Sequence, residues 1–169
     1  MTDWGDENFL INIWIYDEVY KSLGGLIMKG ECICGEVAFE IDGVLPKAYQ
    51  CHCSLCRKQG GSSSNTGLII EAKNFRWLKG VDKISSFVKD SGFRSDFCSK
   101  CGSVVPNVFR DKAYVWVPAG ALDDDKPLAI AIHICVDSKA SWDTIASGAE
   151  QLNGMPSTLS EFIDLLHNE

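Results

Sequence analysis

The alternation of hydrophobic and polar residues predicts a mainly β protein built from short strands. Residues 36–41 alternate as a half-buried strand does, and residues 44–50 form a second short strand that is expected to pair with them as a hairpin. Further short strands are predicted at residues 67–70, 75–78 and 84–88. The two most apolar late segments, residues 113–118 and 128–136, are predicted to be buried strands of the core sheet.

The beginning of the chain has a different pattern. Residues 9–16 are apolar and rich in β-branched side chains, yet they continue into the helix-favouring residues 17–23. The pattern there favours neither a strand nor a helix. Gly24 and Gly25 then interrupt it, and we interpret residues 1–27 as an N-terminal extension.

The end of the chain is predicted to be helical. Thr158 and Glu161 have the spacing of a capping box, and apolar residues follow at helical spacing. A C-terminal amphipathic helix is therefore expected within an extension that covers residues 146–169. The 169 residues of the chain are close to the typical domain length of about 150, so we expect a single domain.

Composition and charge narrow the range of functions. The chain has 46% hydrophobic and 23% charged residues, which is typical of a globular protein. Its 16 basic and 23 acidic residues give a formal net charge of -7, which would repel a nucleic-acid backbone. No apolar run approaches the roughly 18 to 20 residues of a membrane span, and the first residues are acidic where a secretion signal is basic. We expect a cytoplasmic protein that binds neither nucleic acid nor membranes.

Eight cysteines are the most informative residues, because a chain of this length needs no disulfide bonds to fold. Seven of them fall into three closely spaced groups: Cys32 and Cys34; Cys51, Cys53 and Cys56; Cys98 and Cys101. Two thiolates two or three residues apart on a tight turn can both reach one ion, so this spacing indicates zinc binding. Spacing alone leaves the division between sites open, since Cys53, Cys56, Cys98 and Cys101 would also form a zinc-ribbon-like site.

Five ordered motifs carry a resemblance to a known family. They are "GECICGEVAFEI" at residues 30–41, "CHCSLCRKQGG" at 51–61, "FCSKCGS" at 97–103, "AGALDD" at 119–124 and "HICVDSKASW" at 133–142. Across about residues 28–145 the chain resembles the glutathione-dependent formaldehyde-activating family, whose wider group includes centromere protein V. The resemblance implies a small antiparallel β-tent fold, two zinc ions per chain, and an activity that adds formaldehyde to the thiol of glutathione.

The resemblance also implies how the cysteines divide between the two zinc ions. The closed structural zinc would be held by Cys32, Cys34, Cys98 and Cys101. The second, catalytic zinc would be held by Cys51, Cys53 and Cys56. Three ligands leave the fourth position of tetrahedral zinc open for water or substrate. His52 is the obvious candidate for closing that position, but it lies between two cysteines whose side chains converge, so we expect it to point away.

Basic residues beside the cysteines are candidates for contacts with the carboxylates of glutathione. Arg57 directly follows the second group and is expected to contact glutathione or the ligands of the second zinc. Further candidates are Lys58, Arg94 and Lys100.

Four residues near the motifs have structural interpretations. His133 is expected to be a buried, hydrogen-bonded side chain, because an alternating strand often buries a histidine in this way. Trp142 is interpreted as a core residue, and Cys135 as a buried hydrophobic residue within a strand. Gly102 is expected to provide a positive φ in the zinc-binding turn.

We interpret the chain as a carbon–sulfur lyase that resembles S-(hydroxymethyl)glutathione synthase and uses formaldehyde or another small aldehyde. Zinc would lower the pKa of a bound thiol and keep it as the thiolate that attacks the carbonyl carbon. The alternative is a non-catalytic zinc-stabilised binding module of the centromere protein V type. A zinc ribbon that binds nucleic acid is disfavoured by the acidic charge.

Overall fold

The computed structural model of the chain describes residues 27–109, 112–123, 127–145 and 148–167. The predicted N-terminal extension lies outside these residues, apart from Ile27. The strands are β1 (Ile27–Glu31), β2 (Ala38–Asp42), β3 (Ala48–Cys51), β4 (Asn65–Glu71), β5 (Phe75–Lys79), β6 (Ile84–Val88), β7 (Arg94–Cys98), β8 (Val104–Val105), β9 (Asn107–Val108), β10 (Tyr114–Pro118), β11 (Ile130–Ile134) and β12 (Glu150–Gln151). The helices are α1 (Ser54–Gly60) and α2 (Leu159–His167). Within the described residues, no helix is both long enough and apolar enough to cross a membrane.

The described strands form three sheets, which confirms the mainly β prediction. Their strand orders are β1-β2-β5, β12-β11-β3-β4-β10-β9 and β6-β7-β8. The pairings are antiparallel except those of β11, which runs parallel to both β3 and β12. The predicted core strands β10 and β11 both lie in the six-stranded sheet, as expected from their apolar sequences.

The expected hairpin between the first two predicted strands is wrong. β2 pairs with β1 and β5, whereas β3 lies in the larger sheet between β4 and β11. The expectation that β2 is half-buried is also wrong, because its polar residue Glu40 is buried together with its apolar neighbours. Glu40 is tolerated there because Arg76, its register partner on β5, forms an ion pair with it.

The predicted C-terminal helix is confirmed as α2. The backbone N–H of Glu161 donates to Thr158 Oγ1 at 3.1 Å, and Glu161 Oε2 accepts from the Ser157 backbone N–H at 2.8 Å. This is the reciprocal pattern of a capping box, with the return bond one residue earlier than usual. Phe162 and Leu166 then bury the apolar face of α2 against the core cluster that contains Cys51. The helix therefore packs on the sheet that presents one group of cysteines.

Gly80, in the turn that follows β5, is expected to tolerate no side chain. Its φ of 78° is left-handed, and a Cβ atom there would overlap the carbonyl group of Glu36. Gly80→Ala should therefore combine the left-handed backbone cost of about 1 to 2 kcal/mol with about 1 to 3 kcal/mol for the displaced backbone. Gly61→Ala is the matched control, since Gly61 has a φ of 60° but no atom within 4 Å of the added Cβ. Urea unfolding measures both variants, and equal losses of stability would contradict the steric argument.

Candidate metal centres

Four cysteines meet where the turn after β1 faces the turn after β7. The Sγ atoms of Cys32, Cys34, Cys98 and Cys101 all lie within 4.8 Å of one another. The Cys32–Cys34 and Cys34–Cys98 Sγ distances are 3.5 and 3.8 Å. Thiolates bound tetrahedrally to one zinc at about 2.3 Å lie about 3.8 Å apart, so this arrangement fits a zinc ion closely.

Each of the two turns is held by short backbone hydrogen bonds. The Gly35 N–H donates to the Cys32 carbonyl, and the Gly102 N–H donates to the Cys98 carbonyl, both at 2.8 Å. Gly102 has a φ of 78°, which confirms its predicted role in the turn. Hydrogen bonding with the Ser103 hydroxyl, and then with its backbone, lowers the pKa of Cys101 to about 5. The lowered pKa favours the thiolate, which is the form that binds metal.

A second cluster forms where β3 ends and α1 begins. The Sγ atoms of Cys51, Cys53 and Cys56 lie within 4.8 Å of one another. Cys53 is the N-cap of α1, and its Sγ accepts from the Cys56 backbone N–H at 3.5 Å. This short helix was not predicted from the sequence, because its seven residues bury no apolar face. The turn it forms brings two cysteines of the same segment together.

The electrostatics of the second cluster favour a cation. Hydrogen bonding with Cys56, and then burial, raises the pKa of Cys51. Three thiols this close do not all ionise without a positive charge among them, because their thiolates repel one another. A soft metal ion suits this donor set. The structure thus gathers the cysteines as four and three, and not as the zinc-ribbon-like set that spacing also allowed.

His52 points away from the sulfur atoms, as expected. Its Nδ1 lies 2.7 Å from Asp143 Oδ2, and its Nε2 lies 3.0 Å from His133 Nδ1. Both histidines are only 2% exposed, and Asp143 is also buried. Burial, and then the neighbouring His52, lowers the pKa of His133, so that its ring is neutral at pH 7. The expectation of a buried, hydrogen-bonded His133 is confirmed.

Asp143 was missed by the sequence analysis. It lies 91 residues from His52 along the chain, and no local pattern links the two. The available signal was its position directly after the "HICVDSKASW" motif.

Arg57 links the second cluster to the segment that follows β11. Its Nη2 donates to the Ser138 carbonyl at 3.3 Å. Its Nε is buried and has no hydrogen-bond partner among the described residues. A buried guanidinium N–H without a partner is costly, and a carboxylate is the ligand that satisfies it best. The other basic candidates differ, because Arg94 is paired with Asp96 and Lys100 with Glu36.

Two structural interpretations of the sequence are corrected. Trp142 is 70% exposed and is not a core residue, because it lies on a turn whose buried side chain is the next residue, Asp143. Cys135 is half-buried and follows β11 in a left-handed conformation with φ 56°, so it is not a strand residue. Burial, and then the thiol of Cys51, raises the pKa of Cys135 to about 12. A fourth thiol therefore lies beside the three-cysteine cluster.

Comparison with known proteins adds to this geometry. The family described as "Glutathione-dependent formaldehyde-activating enzyme" matches residues 27–138, which include all seven clustered cysteines. A crystal structure of a Rhodobacter sphaeroides protein is 24% identical and covers 59% of this chain and 92% of its own, with a TM-score of 0.49. No curated protein matches the chain.

Proposed function

The chain belongs to the family of glutathione-dependent formaldehyde-activating enzymes, and on that premise we propose that it is a carbon–sulfur lyase. Its reaction resembles that of S-(hydroxymethyl)glutathione synthase, with formaldehyde or another small aldehyde as the second substrate. The observation that carries this proposal is the cluster of Cys51, Cys53 and Cys56, with three thiols and Arg57 beside it. We place the activity in residues 28–145 and in the cytoplasm, where a reducing environment keeps such cysteines as thiols.

We assign two zinc ions to the chain. The four-cysteine cluster has the donor set of a closed structural site, whereas the three-cysteine cluster leaves one position of a tetrahedral ion free. Zinc bound at the three cysteines would supply the positive charge that lowers the pKa of an added thiol. The thiolates of Cys51, Cys53 and Cys56 would hold that ion.

The protein's remaining contribution is binding and orientation. The unpaired Nε of Arg57 is suited to a carboxylate of glutathione, and Lys58 is the next cation along α1. In the addition, the sulfur–carbon bond forms while the carbonyl π electrons move to oxygen, and the proton lost by the thiol is returned to that oxygen. The reaction is redox-neutral and needs no redox cofactor, so the protein's part is to ionise and orient the thiol.

Glutathione is expected to bind through its sulfur, and S-methylglutathione tests this directly. The methylated compound keeps both carboxylates but cannot become a thiolate. We expect isothermal calorimetry to show at least about tenfold weaker binding of S-methylglutathione, a factor that corresponds to roughly 1.4 kcal/mol. Equal affinities would contradict the proposed role of the three-cysteine cluster. Consumption of formaldehyde in the presence of glutathione, followed by the appearance of the hydroxymethyl adduct, tests the reaction itself.

Cys135 favours a second candidate, a non-catalytic zinc-stabilised binding module. Its thiol lies close enough to Cys51 to interact with it, and a fourth protein thiolate would close the second site. Cobalt substitution distinguishes the two functions, because the thiolate-to-cobalt absorption reports the ligands of the ion. A lyase changes this absorption when glutathione is added, and a closed binding module does not.

A further inference from the structure

His52, His133 and Asp143 are buried and hydrogen-bonded to one another. They are here called the His–Asp network, and its member His52 lies between Cys51 and Cys53 of the three-cysteine cluster. The distances are 2.7 Å from Asp143 Oδ2 to His52 Nδ1 and 3.0 Å from His52 Nε2 to His133 Nδ1. Nothing in the proposed reaction uses these groups. Their burial nevertheless carries a desolvation cost that full hydrogen bonding must offset.

The position of His52 explains how the His–Asp network can orient the thiols of Cys51 and Cys53. In extended backbone, residues i and i+2 point to one side and residue i+1 points to the other. Cys51 ends β3 and Cys53 has an extended conformation with φ -67° and ψ 158°, so their thiols share a side. His52 points to the opposite side, where Asp143 and His133 hold its ring. A fixed His52 ring therefore fixes the direction in which both thiols point.

Both ring nitrogens of His52 are hydrogen-bonded within the His–Asp network. The carboxylate of Asp143 can only accept, so His52 Nδ1 carries a hydrogen. His52 Nε2 is hydrogen-bonded to His133 Nδ1, so both ring nitrogens of His52 have a partner. The backbone adds a further contact, since the His52 N–H donates to the Ile134 carbonyl at 3.0 Å. The ring of His52 thus has a defined orientation.

We propose that Asp143 is a positioning residue for the three-cysteine site, which it organises by holding His52. This inference rests on the proposed function, because it assigns a metal ion to Cys51, Cys53 and Cys56. Asp143 belongs to the segment whose Ser138 carbonyl also accepts from Arg57. One distant segment therefore holds both the metal-ligand turn and the side chain proposed to bind glutathione. Outer-shell groups of this kind typically change metal affinity by about 10- to 100-fold when they are removed.

The test measures zinc release from the zinc-loaded full chain during titration with a chromophoric chelator. Wild-type protein is expected to release the zinc of the three-cysteine site first and that of the four-cysteine site later. Asp143→Ala should release the first zinc at about 10- to 100-fold lower chelator concentration and leave the second release unchanged. Asp137→Ala is the matched control, because Asp137 is an exposed aspartate of the same segment and should behave like wild type.

Asp143→Asn keeps an oxygen that accepts from His52 Nδ1–H, so it should restore part of the lost affinity. If Asp143→Ala does not fold, the titration is read on Asp143→Asn. The proposal is then supported if only the first zinc of Asp143→Asn is released at a lower chelator concentration than in the wild type. Two results would overturn the role of the His–Asp network and leave the proposed function intact. In the first, a folded Asp143 variant releases both zinc ions at the same chelator concentrations as the wild type. In the second, the variant releases both zinc ions earlier, and by the same factor. A wild-type protein that holds a single zinc ion overturns both.

Discussion

Cys98→Ser is expected to yield insoluble protein, or protein that unfolds when a chelator is added. Cys98 is fully buried at the end of β7 and joins Cys34, 64 residues away, in one cluster. Zinc binding at a structural site is worth about 10 to 16 kcal/mol, whereas the whole stability of a domain is about 5 to 15 kcal/mol. A serine oxygen is a poor replacement for a soft thiolate ligand. One missing ligand is therefore enough to decide folding.

Circular dichroism, melting temperature and zinc content of purified Cys98→Ser measure this effect. Cys56→Ser is the matched control, since it makes the same atomic replacement in a cluster formed by one continuous segment. A Cys56→Ser protein that unfolds as completely as Cys98→Ser would mean that both sites are structural. The binding module would then be favoured over the lyase.

Cys56→Ser is expected to remain folded, to hold one zinc ion where the wild type holds two, and to lose glutathione binding. The reason is that the site retains two of its three cysteines, while the sheets stay joined through the other cluster. Lyase activity should fall by at least about 100-fold, the upper end of the effect of losing an outer-shell group. Elemental analysis, calorimetry with glutathione and the formaldehyde assay measure the three outcomes.

Cys135→Ser completes this comparison. Cys135 lies beside Cys51 but outside the group of three thiols within 4.8 Å. In the lyase, Cys135→Ser should retain two zinc ions and glutathione binding. Loss of the second zinc in Cys135→Ser would show that this thiol is a fourth ligand, and the lyase proposal would lose its open position.

The sequence predicted those features of the candidate site that depend on residues close together in the chain. Cys51, Cys53 and Cys56 lie within one short segment, so their spacing alone indicated that they could share an ion. The orientation of His52 away from the sulfur atoms also followed from its place between two converging cysteines. The assignment of Cys32 and Cys34 to the same cluster as Cys98 and Cys101 came from the family resemblance, because spacing left another division open.

Local features of the chain determined strands β2 to β6, β10 and β11, its C-terminal helix and which cysteines share a turn. A two-residue alternation, a capping box and a C-x-x-C turn each depend on residues within a few positions, so their physical causes are visible in the sequence. Tertiary structure alone decided that β3 pairs with β4 and β11, that Glu40 is buried and that Trp142 is exposed. It also brought Asp143 to His52. All of these features depend on which segments, distant in the chain, pack against one another. That packing is determined by the whole core and not by residues neighbouring in sequence.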